Sequence, residues 1–288
     1  MKKIVETNKI SFALLLIATI LFATGCNTLN FAKQTGKGNK KMLYISHRGE
    51  SHDAPENTMS AFRLSWERDT DGIELDIHLT ADNQVICAHD STTARMGDKD
   101  YKISKETYDI LKTVDVGSKK NSKYKGEKMP LLSEVLAEAP AGRLVYIEIK
   151  TGPEILPALK KVIENSPARK EDLRIISFSN PSMREAKKLF PEIKMYTLKG
   201  VSWDKDKKRL KPTAKYLLAL QKEMGIEGFD LQCCSKITQE YLDKLRKNNA
   251  EIIVWTIDDA EYAAKFKRLG VDGITSNRAE YLKKKLEN

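Results

Sequence analysis

Past the first forty residues, short apolar runs alternate with stretches whose apolar positions recur every three or four residues. The first pattern is that of a buried strand, the second that of a helix with one buried face. Strands are expected at residues 42–46, 72–79, 144–149, 174–178, 193–198, 228–231, 251–257 and 272–275. Helices are expected between and after them, at 57–68, 131–138, 154–165, 181–189, 212–224, 239–248, 260–269 and 279–286. Residues 85–88 read as a short strand beyond the Asp82-Asn83 turn, and residues 91–128 as a polar insertion.

Strands alternating with helices build a parallel sheet. Eight such units within residues 42–288 predict an α/β domain, a single closed (β/α)8 TIM barrel with a small insertion after the second strand. No GxGxxG turn or GxxxxGK[ST] loop opens any of these helices, so a nucleotide cofactor has no support.

The chain ahead of the domain has another character. Met1-Lys2-Lys3 and Lys9 precede an apolar run, residues 10–22, which exits through Ala23-Thr24-Gly25 into Cys26. A basic start, a short apolar stretch and a small-residue exit read as a secretory signal peptide, too short to span a bilayer. Gly25-Cys26 resembles the lipobox of bacterial lipoproteins, with Ala23 where that motif usually has Leu. The resemblance implies a signal peptide of residues 1–25, lipidation of Cys26, and a chain held on a membrane of the bacterial cell envelope, facing the periplasm or the exterior. Residues 26–41, polar and glycine-containing, read as a flexible tether.

Beyond Cys26 there are Cys87, Cys233 and Cys234, an odd number that forms neither a disulfide framework nor a CxxC metal knuckle. The net charge is +10, from 50 Lys and Arg against 40 Asp and Glu. The lysines are scattered and no aromatic residues interleave with them, so a solvated basic surface explains them better than a nucleic-acid site.

Candidate chemistry concentrates between His47 and Asp90. In a barrel the C-terminal strand ends form the active face. His47 follows the first strand, and His89 follows the short strand. Glu74 and Asp76 are two apart and share a strand face, as do Glu148 and Lys150. Three clustered carboxylates repel and raise one another's pKa. A hard divalent cation relieves this; ion pairs with Arg48 and Lys150 are the alternative. Two histidines in the same units favour the ion, since proton transfer near neutrality calls for such groups. His78 shares the face of Glu74 and Asp76 and reads equally as a mouth residue or as a cap on the barrel interior, whereas His52 reads as a surface residue. Glu56 is placed to hold Arg48 rather than a metal.

His47-Arg48-Gly49, Pro55-Glu56-Asn57-Thr58 with Ala61-Phe62, Glu74-x-Asp76 with Thr80 and Asp82, His89-Asp90 and Glu148-x-Lys150 resemble the glycerophosphodiester phosphodiesterase family. Ser177-Phe178, Trp255-Thr256 and Asp272-Gly273-Ile274-Thr275 extend the resemblance in order, over about residues 43–282. Asp258 stands where the family commonly has Asn, and Asn83 where it usually has Gly. The resemblance implies metal-dependent hydrolysis of a small-molecule glycerophosphodiester to glycerol 3-phosphate and an alcohol, through a cyclic phosphate. It implies Glu74, Asp76 and Glu148 as ligands of one divalent cation, Ca²⁺ or Mg²⁺, and His47 and His89 as the acid–base pair. Arg48 and Lys150 would contact phosphate, and Phe178 and Trp255 would line the substrate pocket. A lyase-type relative that releases the cyclic phosphate or acts on intact lipids is the neighbouring alternative. A non-catalytic binding lipoprotein would be marked by loss of a histidine or a ligand carboxylate, and none is lost.

Overall fold

The computed structural model describes residues 41–287. The expected signal peptide, Cys26 and the tether as far as residue 40 lie outside the described residues.

Strand β1 (Leu43–His47) leads through a loop to helix α1 (Met59–Glu67). β2 (Gly72–Leu79) turns back into a short antiparallel partner, β3 (Val85–Cys87). An excursion containing the single-turn α2 (Tyr108–Leu111) follows, then α3 (Leu132–Glu138). β4 (Leu144–Ile149), α4 (Leu156–Glu164), β5 (Leu173–Ser177), α5 (Asn180–Leu189) and β6 (Lys194–Lys199) continue the alternation. A hairpin of β7 (Ser202–Asp204) and β8 (Arg209–Lys211) precedes α6 (Ala214–Met224). β9 (Gly228–Gln232), α7 (Gln239–Arg246), β10 (Glu251–Trp255), α8 (Ala260–Arg268), β11 (Gly273–Ser276) and α9 (Ala279–Glu287) complete the chain.

β1, β2, β4, β5, β6, β9, β10 and β11 pair in parallel, and β1 pairs with both β2 and β11. That second pairing closes the sheet into the expected (β/α)8 barrel. The hairpin was not expected; its only buried residue is Leu210, too little apolar signal to mark strands. The excursion after β3 carries a small core of its own, with Ile103, Leu111, Val114, Val116 and Met129 packed on Ile86.

Strand alternation decides what the barrel interior holds. On β2, Ile73, Leu75 and Ile77 pack outward against the helices, as do Val145, Ile147 and Ile149 on β4. Phe229 and Leu231 on β9, and Ile252 and Val254 on β10, do the same on the other side. The intervening residues face inward. Low in the barrel these include Ile45, Tyr146, Tyr196 and Ile253, which fill the interior. At the C-terminal strand ends the inward positions turn polar, and the site begins there.

The outer helices follow from their sequences. Leu156, Leu159 and Ile163 put a buried stripe on α4, and each such side chain contributes roughly 1.5–3 kcal/mol on burial. Thr58 caps α1 by accepting from the Ala61 N–H, and Ser179 caps α5 through the Ser182 N–H.

Candidate active site

Glu74 and Asp76, inward neighbours on β2, meet Glu148, the register partner of Asp76 on β4. All three side chains are buried, and each offers an oxygen within 4.8 Å of the others. Two cations brace Asp76: Arg48 Nε lies 3.2 Å from Oδ2 and Lys150 Nζ 3.3 Å from Oδ1. Lys150 also pairs with Glu148 at 2.9 Å, and Arg48 with Glu56 at 2.9 Å. Asn57 donates from its amide to Asp76 Oδ2 (2.8 Å) and accepts from the Asp76 N–H (3.1 Å). The ion pairs considered as the alternative to a metal are therefore formed, but they leave Glu74 short. Its Oε2 accepts from the Arg48 N–H (3.0 Å), while Oε1 is buried without a partner.

The titration behaviour follows. Burial, then the Asp76 and Glu148 charges, push the Glu74 acid well above its usual range. Burial and Asp76 raise Glu148 to about 7, against the pull of Lys150. Burial would raise Asp76 too, but Arg48, Lys150 and Asn57 outweigh it and hold that acid low. An orphaned oxygen inside a cluster of hard oxygen donors is what Ca²⁺ or Mg²⁺ would complete, so the residues fit such an ion.

The two histidines are held differently. His47 Nδ1 lies 2.7 Å from Asn277 Oδ1, and its Nε2 is 4.0 Å from Glu74. Asn277 is itself oriented by Asp258, which accepts from the Asn277 amide (2.7 Å) and N–H (2.8 Å). The Asn277 oxygen must then face the imidazole, so Nδ1 carries the proton and Nε2 keeps its lone pair. Burial, then the Arg48 charge, lower the His47 pKa to about 4. His89 instead donates from Nδ1 to the Asp90 carboxylate (2.6 Å), which Arg95 Nε also engages (2.6 Å). Arg95 continues the chain of contacts toward Arg48 by pairing with Glu56 at 2.7 Å.

Local backbone puts these groups in place. Arg48 (φ 55°) and Asn57 (φ 56°) both adopt the left-handed conformation. Gly49 follows at φ 78°, and a Cβ there would lie 2.6 Å from Ala61 of α1. The loop is thus pressed onto α1, with Arg48 turned back toward β2.

His47, Arg48, Glu74, His89, Glu148 and Lys150 line one cavity of about 190 Å³. Phe178 and Trp255 stand on its wall in an edge-to-face pair, ring centroids 5.7 Å apart. Ile176, Leu198, Asp230 and Thr275 complete the lining.

A sequence model of the glycerophosphoryl diester phosphodiesterase family matches residues 47–281. The chain belongs to this family. The glycerophosphodiester phosphodiesterase of Caldanaerobacter subterraneus subsp. tengcongensis is 32% identical over 247 residues, covering 84% of this chain and 96% of that protein. Among solved structures, a phosphodiesterase of Oleispira antarctica in complex with the product sn-glycerol-3-phosphate superposes with a TM-score of 0.76. It is 24% identical and covers 85% of this chain and 96% of its own. The glycerophosphodiester phosphodiesterase of Thermotoga maritima gives 0.67 at 23% identity, covering 85% and 98%. At these identities the structures show the shared fold.

Within this phosphodiesterase-family barrel, every candidate named from sequence between His47 and Trp255 lines the cavity or touches its lining, except His52. Asp76 lies just behind, paired with Arg48 and Lys150. His52 is on the surface, paired with Asp53 at 2.7 Å. His78 is buried and lies 3.1 Å from the His89 carbonyl, so it supports the segment that bears His89. Asp258, which stands where the family commonly has Asn, orients Asn277. Asn57 stood inside a quoted motif without a role; Asn277, Arg95 and Asp230 were missed. The alternation on β9 could have found Asp230, since Phe229 and Leu231 point outward around it.

Proposed function

We propose that this chain hydrolyses glycerophosphodiesters to glycerol 3-phosphate and an alcohol, with a divalent cation at Glu74, Asp76 and Glu148. The observation that supports it most is the convergence of two differently held histidines, three buried carboxylates, Arg48 and Lys150 on one cavity. When bound, the ion supplies positive charge against the phosphate and its developing negative charge.

Arg48 suits forked contact with phosphate oxygens, and Lys150 adds a point charge. His47, with its Nε2 lone pair facing the cavity, takes the proton of the glycerol 2-hydroxyl. That oxygen attacks phosphorus and the bond to the alcohol oxygen breaks. His89, whose Nδ1–H is anchored on Asp90, delivers a proton from Nε2 to the leaving alcohol. The product of this step is a cyclic phosphate. Water then opens it with the roles reversed: His89 takes the water proton and His47 returns one to the 2-oxygen. Trp255 and Phe178 wall the glycerol side. In the same proposal the chain is exported and lipid-anchored through Cys26 in a bacterial envelope.

Glu74→Gln tests the reading. It keeps the side-chain shape and removes one charged oxygen donor. Loss of at least ~10²-fold in kcat, as expected when a charge-stabilising group is removed, supports the proposal. Full activity in this variant overturns it.

A further inference from the structure

One polar group of the cavity has no part in the chemistry above. Asp230, on β9, has Leu198 of β6 and Ile253 of β10 as register partners, both buried and apolar. Its side chain is 1% exposed, its Oδ1 has no hydrogen-bond partner, and it makes no ion pair among the described residues. Yet it lines the cavity. Thr275 Oγ1, on β11, is a second buried, unpartnered atom of the same lining. Asp230 does not belong to the metal-ligand group of Glu74, Asp76 and Glu148.

A buried acid without a donor is costly, and native structures rarely leave one unless a ligand or a function uses it. A phosphate is a poor match, because a carboxyl offers it no cation, and Arg48 and Lys150 stand beside Asp76 on the β2–β4 side of the cavity. Its register neighbours Leu198 and Ile253 are apolar, the Trp255 indole Nε1 donates to the Asp230 carbonyl at 3.2 Å, and the charge that acts on it is the Glu148 carboxylate, which disfavours a second anion there. A neutral hydroxyl fits. A carboxyl accepts a hydroxyl hydrogen whether or not it is itself protonated.

We propose that Asp230, together with Thr275, binds the free terminal hydroxyl of the substrate's glycerol, and so selects glycerophosphodiesters over analogues in which that hydroxyl is absent or acylated. This rests on the phosphodiesterase reading above. Asp230 is then a specificity residue: the 2-hydroxyl reacts at His47 while the terminal one is held on β9. Lysophospholipids, whose terminal oxygen carries an acyl chain, cannot donate and are refused.

The test compares the full chain with Asp230→Ala and Asp230→Asn. The substrates are glycerophosphoethanolamine and its analogue built on propane-1,2-diol, which keeps the 2-hydroxyl and lacks the terminal one. Wild type is expected to favour the glycerol compound by ~100-fold or more in kcat/KM, since sites built around a hydroxyl reject analogues that lack it. Asp230→Ala collapses the ratio by losing the glycerol compound alone, and Asp230→Asn, which still accepts, keeps most of it. An equal loss on both substrates, or an unchanged ratio, overturns the proposal. Equilibrium binding of sn-glycerol 3-phosphate and of propane-1,2-diol 1-phosphate to wild type reads the same preference without a variant that must fold. Equal affinities overturn it. Wild type inactive on every diester would overturn the phosphodiesterase reading, while the binding comparison would still decide the role of Asp230.

Discussion

His47 and His89 are the same side chain made different by what holds them. An amide oxygen, fixed by Asp258, accepts from His47 Nδ1 and leaves Nε2 as the acceptor; the Asp90 carboxylate accepts from His89 Nδ1. Asn277→Ala should therefore cost activity without touching substrate or ion. We expect kcat to fall roughly 10- to 100-fold, less than the ~10²–10⁴ that a general base supplies because the base itself remains, with KM little changed. Steady-state kinetics check this, and an unchanged kcat would show that the tautomer needs no support. At this scale the sequence was legible where chemistry and spacing coincide, as at Glu74, Asp76 and Glu148. It was silent on Asn277, which lies 230 residues from the imidazole it orients. A role that depends on closure of the barrel leaves no local mark. Asp230 was readable in principle, as an inward acid between the outward Phe229 and Leu231, but no motif drew attention to it.

At the scale of elements, the site depends on the loop between β1 and α1. Arg48 and Asn57 are both left-handed, and Gly49 between them lets the loop lie against Ala61. Gly49→Ala should destabilise the fold by about 1–3 kcal/mol from backbone strain, and by more where Ala61 must move. Urea unfolding followed by circular dichroism measures it, and an unshifted midpoint would contradict the close packing. The strands were legible because each shows buried outward residues at alternate positions. Their ends differ from the expected ones by at most one residue, except on β10, which was expected to run to residue 257 and ends at Trp255. The β7–β8 hairpin was not legible, because it is nearly all polar and its pairing is local.

For the whole molecule, each of the eight parallel strands brings a residue to one mouth. No two of these strands need be near in sequence, and the outer helices carry none of the chemistry. The central claim is that the mouth performs metal-dependent hydrolysis. The most direct measurement follows the phosphorus NMR of glycerophosphocholine, glycerophosphoethanolamine and glycerophosphoinositol with the full chain, first with Ca²⁺ or Mg²⁺ and then with excess chelator. The account predicts that the sn-glycerol 3-phosphate signal grows with at least one substrate and stops growing when chelator is added. No such signal from any of the three, or growth that continues unchanged under chelator, would contradict it.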